Sequence, residues 1–221
     1  MTFVILSIFL KVVAPYEYEP IDLERPSFRL LHRGERSDKI KCELTQESFD
    51  SDNWCPYEAL SYECHATELT DHITVNGERL PVNGSVFYAL QHLRLSDQER
   101  ILWGDAVCIN QSNMAERKHQ VQQMGHIYAR AEQVIIWLGG SGYAENVLMD
   151  SIKYLERECR RHAYKDWKPT DEHWANIWSS GKEALRYRYP GIKETQESGM
   201  RLAVGNSWFK RVWTLQEVAN T

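Results

Sequence analysis

Between Ile101 and Gln111 the chain reads ILWGDAVCINQ, and four groups with reactive or hydrogen-bonding chemistry, Asp105, Cys108, Asn110 and Gln111, fall within seven positions of one another. A carboxylate at the end of an apolar run is what a strand end looks like when it helps to line a cleft. It can equally serve as a turn residue that accepts from nearby backbone amides. The Cys108 thiol would need an imidazole such as His65 or His119 to act as a nucleophile. Its setting, AVCI, is apolar, and buried cysteines in such settings pack and stay inert. Asn110 and Gln111 are expected to bond loop backbone and cap the helix that follows. Ser61 reads as a structural hydroxyl near a cleft, with ligand contact as the alternative. Cys55, Cys64 and His65 lack the paired, short-spaced pattern that tetrahedral zinc prefers, so no metal ligand is assigned.

A second carboxylate sits late in the chain. In SWFKRVWTLQEVANT the helical period puts Trp208, Val212, Leu215 and Ala219 on one stripe, and Glu217 opposite it, one turn beyond Trp213. Glu217 is therefore either a solvated carboxylate or an acid aimed across a neighbouring cleft beside an aromatic ring.

These groups need a frame. The 221 residues suit one domain with a long insertion, and 43% hydrophobic and 11% aromatic residues suffice for a sizeable core. With 26 basic and 31 acidic residues the net charge is −5, so no bulk attraction to a nucleic acid polymer exists. The densest basic stretch, RECRRH at 157–162, reads as a solvated helix face. Five cysteines at irregular spacing, Cys42, Cys55, Cys64, Cys108 and Cys159, point to a reducing compartment rather than a disulfide framework. The apolar run 3–10 is broken by Ser7 and ended by Lys11, well short of the about 20 residues that span a bilayer. It is expected to be a buried first strand or an unstructured leader, with a signal anchor as the alternative; no membrane span is expected.

Along the chain, SFRLLHRG and KIKCEL read as short strands, and YEALSY, 57–62, as a compact β-prone run. ITVNGERLPV, 73–82, is a hairpin turning at Asn76-Gly77. A helix follows, with Ser85 as N-cap and Val86, Leu90 and Leu93 inward. After the short strand ILW, a helix begins at an Asn113–Glu116 capping box and carries Val121, Met124, Ile127, Tyr128 and Ala131 on one face. The apolar run 134–138 predicts a strand buried on both faces. A helix with Leu148, Ile152, Leu155 and Cys159 inward comes next, then an irregular insertion over 163–206 with some helix. Alternating strands and helices predict an α/β fold with a parallel sheet. Such sheets bind ligands beyond their strands' carboxyl ends. That rule gathers Ser61, Tyr62 and Glu63, then Gly104 and Asp105, then Gly139 and Gly140, along one rim.

Four blocks in order, YEALSY, LWGDAVCINQ, ERKHQVQQMGHIYARAEQVIIWLG and FKRVWTLQEVA, resemble the HET domain of fungal heterokaryon incompatibility proteins over about residues 57–220. Residues 1–56 would be a lead-in with small strands packing on that domain. Three positions depart from the family pattern: Cys64-His65 stands where Trp-Gly is usual, and Gly104 where isoleucine usually precedes the aspartate. The resemblance implies a cytoplasmic module that triggers programmed cell death on nonself recognition. HET domains are in turn similar to Toll/interleukin-1-receptor-type (TIR) domains, which implies a flavodoxin-like three-layer arrangement. Several TIR domains cleave NAD at the nicotinamide bond. By that likeness Glu217 would be the catalytic acid, Ser61, Tyr62, Asp105 and Trp213 would shape the substrate pocket, and NAD would be substrate, with no cofactor required. The alternative is a module without catalysis that acts by self-association or by binding a nonself-sensing protein partner.

Overall fold

Three of the expected strands lie side by side in parallel. A computed structural model describes residues 14–33, 40–51, 55–63, 68–95, 98–162, 168 and 170–211. The apolar run 3–10, Cys64-His65, Trp213 and Glu217 lie outside the described residues. Seven strands, β1 (Ser27–Arg33), β2 (Lys41–Ser48), β3 (Glu58–Tyr62), β4 (Asp71–Val75), β5 (Glu78–Val82), β6 (Arg100–Trp103) and β7 (Gln133–Trp137), form one sheet in the order β5-β4-β2-β1-β6-β3-β7. β3 pairs in parallel with β6 and β7. β1 runs antiparallel to both β2 and β6, so the α/β sheet is mixed, parallel across β6, β3 and β7 and reversed at β1.

The Asn76-Gly77 turn joins β4 to β5 with both residues at positive φ, 50° and 87°, as a two-residue hairpin requires. Ile73, Val75, Leu80 and Val82 alternate inward from it. Helix α1 (Gly84–His92) buries Val86 and Leu90, but its cap is Asn83, whose Oδ1 accepts from the Val86 amide at 2.9 Å. Ser85 was the expected cap; the chain turns helical one residue before it. Helix α3 (Met114–Arg130) starts at Asn113, which accepts from the amides of Ala115 and Glu116. Its inward face is Glu116, Gln120, Met124, Ile127 and Tyr128, while Val121 is exposed. Two tyrosines fasten α3 to β3: Tyr57 Oη donates to the Ile127 carbonyl at 2.6 Å, and Tyr128 Oη to the Leu60 carbonyl at 3.3 Å. β7 departs from expectation. It is an outer strand with Ile136 exposed, so its apolar run does not mark burial on both faces.

The described residues fall into two compact units, one holding all seven strands and the other Gly140–Arg211. The second unit contains α4 (Tyr143–His162), α5 (Glu172–Leu185), α6 (Ile192–Gly205) and a short 3-10 turn, Ser207–Lys210, that begins where helix was expected. The expected insertion therefore holds two full helices. On α4 the buried positions are Val147, Leu148 and Ser151, and Ile152 is exposed, a rotation of about one residue from the expected face. Gln196 Nε2 of α6 donates to the buried Ser151 hydroxyl at 2.7 Å. Arg160 and Arg161 are exposed and pair within α4 to Glu156 and Glu158.

Candidate functional site

Register places the rim. Ala59 lies opposite Trp103 on one side of β3, and Tyr62 opposite Trp137 on the other. Tyr62, Gly104 and Leu138 thus leave the sheet at the same edge, and Asp105 follows as the first residue of a four-residue helix, α2 (Asp105–Cys108). The Asp105 carboxylate is half-buried and makes no hydrogen bond or ion pair among the described residues. Its backbone carbonyl is occupied, accepting from Gln111 Nε2 at 2.8 Å, which folds the loop back on itself. Ser61 and Tyr62 are buried, 1% and 7% exposed, and so form the floor beneath this edge.

A buried ion pair holds the loop. Arg29 of β1 and Glu116 of α3 meet in two parallel contacts, Nη1 to Oε1 at 2.6 Å and Nη2 to Oε2 at 3.1 Å, with both side chains only 2% exposed. Arg29 Nη1 also donates to the Cys108 carbonyl at 3.1 Å, and Nη2 to the Glu19 carbonyl at 2.5 Å. Glu116 Oε1 accepts from the Asn110 amide at 2.7 Å. The pair therefore satisfies one backbone acceptor and one backbone donor of the rim loop, as a buried charge pair must to offset desolvation. Tyr18 completes the arrangement: its hydroxyl donates to the Val107 carbonyl at 2.9 Å, and the Arg29 guanidinium lies 5.0 Å from its ring centre. Burial pushes the Tyr18 phenol well above its ordinary range.

Neither Arg29 nor Glu116 is a site residue by sequence pattern. Glu116 sits three residues after Asn113, where a capping box would turn it back to the Asn113 amide. The structure instead commits both its oxygens to Arg29. The available signal was an arginine inside the apolar strand SFRLLHR, where a buried charge demands a partner.

Cys108 is fully buried, and burial pushes its thiol up to about 12. Its Sγ accepts from the Gly104 amide at 3.5 Å. At pH 8 almost no thiolate exists, so iodoacetamide is expected to leave Cys108 unlabelled in the native protein and to label it after denaturation. Mass spectrometry of the digested protein checks this, and native labelling would restore the nucleophile reading. Among the described residues no cluster of His, Cys, Asp or Glu side chains is placed to hold a metal ion.

Under the rim, Leu60, Tyr62, Val107 and Gly104 enclose a void of about 10 Å³. Gly104 has φ −152°, a backbone that any residue adopts, and a Cβ built there would lie 3.8 Å from the Leu60 Cβ, an ordinary contact. Gly104→Ala is therefore expected to stabilise by about 0.4–1 kcal/mol through a less flexible unfolded chain, with a small addition from the void. A raised urea midpoint with unchanged slope would show it.

The structure thus brings Ser61, Tyr62 and Asp105 to one edge, while Trp213 and Glu217 stay outside the described residues. The family described as "Heterokaryon incompatibility protein (HET)" matches residues 57–217, a span that takes in all three rim strands and their loops. The "Heterokaryon incompatibility protein 6, OR allele" of Neurospora crassa is 32% identical over 184 residues, covering 73% of this chain and 27% of that relative. This chain therefore spans about a quarter of the length of the relative it matches. No solved structure matches it significantly. No helix among the described residues is long and apolar enough to cross a membrane. The family match covers well over half of the 221 residues, and the chain belongs to the heterokaryon incompatibility (HET) protein family.

Proposed function

We propose that this chain is a cytoplasmic effector domain of fungal heterokaryon incompatibility, converting nonself recognition into programmed cell death. Its proposed chemistry is hydrolysis of NAD at the nicotinamide–ribose bond, on a TIR-like plan. The observation that supports it is the parallel trio β6-β3-β7, which delivers the uncommitted Asp105 carboxylate to a rim whose loop is held by a buried ion pair. In this reaction the bond from ribose C1′ to the nicotinamide nitrogen breaks and its electron pair leaves with nicotinamide. Water then adds at C1′ and releases a proton, giving ADP-ribose. The transition state is oxocarbenium-like, and a carboxylate close to the ribose stabilises its charge. Glu217 takes that role, Asp105 holds the sugar hydroxyls, Trp213 limits water access, and Ser61 and Tyr62 form the pocket floor. Incubation with NAD at high protein concentration is expected to release nicotinamide, and Glu217→Gln to abolish the release. Equal release by the mutant would remove Glu217 from the mechanism.

A second reading draws on the size of the space beneath the rim. At about 10 Å³ it has room for no more than a single water, far less than a nucleotide needs. A domain acting by self-association or by docking a nonself-sensing partner needs no such cavity. Concentration-dependent assembly by light scattering, with no nicotinamide released from the assembled protein, would select this reading over hydrolysis.

A further inference from the structure

We infer that the groove beside the rim loop, bounded by Tyr16, Leu69 and Asn110, is a binding site for a purine nucleoside base. The groove has a volume of about 480 Å³, within the range of small-molecule sites. One side is apolar, built by Leu69, Leu80 and Pro81. Leu69 is 62% exposed, a large aliphatic side chain that nothing among the described residues covers. Asn110 and Gln111 also line the groove.

Their side-chain amides are half committed. Asn110 Oδ1 accepts from the Ser112 amide, and Gln111 Nε2 donates to the Asp105 carbonyl. Asn110 Nδ2 and Gln111 Oε1 make no hydrogen bond among the described residues, which leaves one donor and one acceptor uncommitted on two residues that line the groove. A purine edge presents a matching acceptor and donor, N7 and the exocyclic amine in adenine. Tyr16 adds an aromatic wall. It packs edge to face with Tyr18, 5.0 Å between ring centres, and Tyr18 is itself fastened to Val107. An aromatic wall beside amide groups recognises a flat, uncharged ring with hydrogen-bonding edges.

Charge narrows the ligand further. Among the described residues no Lys or Arg lines the groove, and Glu17 does, so a phosphate would meet a carboxylate there. The base is thus the recognised part, and any phosphate would point away. Rigidity favours the site as well. The Arg29–Glu116 pair pins the backbone at Cys108 and Asn110, so the amide wall is ordered before a ligand arrives.

Isothermal titration of the whole chain with adenosine tests the proposal. Adenosine has no nicotinamide bond, so its binding reports the groove alone, and nicotinamide release reports hydrolysis alone; either can fail without the other. Saturable binding is expected, weakened about ten-fold or more by Tyr16→Ala, through lost stacking. Leu69→Arg, at an exposed position that folding does not depend on, is expected to weaken it comparably with an unchanged melting temperature. AMP is expected to bind no tighter than adenosine. Absence of adenosine binding, equal binding by a folded Leu69→Arg variant, or markedly tighter binding of AMP would overturn the proposal.

Discussion

Glu116→Ala is expected to destabilise the sheet unit by about 3–5 kcal/mol, the range for removing one partner of a buried ion pair. The loss has two sources. The Arg29 guanidinium, 2% exposed, keeps its charge but loses its only carboxylate among the described residues. The half-buried Asn110 amide loses its acceptor at 2.7 Å. Glu116→Gln retains the shape and part of the hydrogen bonding, so it should fall between wild type and alanine. Replacing both residues by apolar ones of similar volume, Arg29→Met with Glu116→Leu, should cost less than Glu116→Ala alone, because no unpaired charge remains. Urea unfolding of the three variants measures this. A loss below about 1 kcal/mol for Glu116→Ala is what a solvent-screened pair would give, and would contradict the burial described. The double variant has a second use: without the clamp the rim loop loses the groups that fix Cys108 and Asn110, so backbone amides of 105–111 should exchange hydrogen faster even where global stability is kept.

In the helical unit, Gly199→Ala should have the second large effect, and its sign is diagnostic. Alanine replacing glycine in a helix interior ordinarily gains about 1 kcal/mol. Here a Cβ on Gly199 would lie 2.3 Å from the Ala144 carbonyl oxygen, 2.8 Å from its carbon and 3.1 Å from the Leu148 Cβ. The obstacle is backbone, which no rotamer change relieves. α6 must move away from α4, stretching the Gln196–Ser151 hydrogen bond and loosening the packing of Val147 with Ile192. A cost of about 3 kcal/mol or more follows, the upper end for forcing extra volume into a packed contact. Gly205→Ala is the control. A Cβ there meets nothing within 4 Å, so that substitution should be neutral or stabilising. Because the chain forms two units, unfolding need not be two-state. Hydrogen exchange over residues 143–205 reports the helical unit directly. Protection in Gly199→Ala equal to that in Gly205→Ala would mean the helices are farther apart than described.

What could be foreseen from residue order was what depends on near neighbours. Asn76-Gly77 announces its hairpin because only a few residue types accept positive φ there. Asn113 announces the start of α3 because its side chain bonds amides two and three positions on. The strands end at Tyr62, Trp103 and Trp137, at or within two residues of the breaks at Tyr62, Gly104 and Gly139 that close their apolar runs, and with them the rim was legible. Arg29 with Glu116 was not, because the partners are 87 residues apart and each has a plausible local reading, as a strand's polar face and as half of a capping box. The face of α3 was misjudged at Val121 for a related reason: Glu116 and Gln120 lie at helical spacing with Met124 and Ile127, so polar residues fill part of the inward stripe and Val121 falls at its outer edge. β7 shows the limit of an apolar run, which does not distinguish a central strand from an outer one. Gly199 sat in a stretch whose prolines and glycines suggested irregular chain, whereas it marks where two helices touch.

Asp105 carries the most direct test of whether the rim is where this domain acts. Asp105→Asn keeps volume and removes charge. Its side chain has no hydrogen-bond partner among the described residues, so stability should change by no more than about 1 kcal/mol, the worth of an acid at a helix start. Expressed in a filamentous-fungal host under conditions where the wild-type chain kills or arrests cells, the soluble, folded Asp105→Asn variant is expected to leave growth intact. Undiminished killing by that variant, at equal protein level, would place the domain's activity elsewhere on its surface.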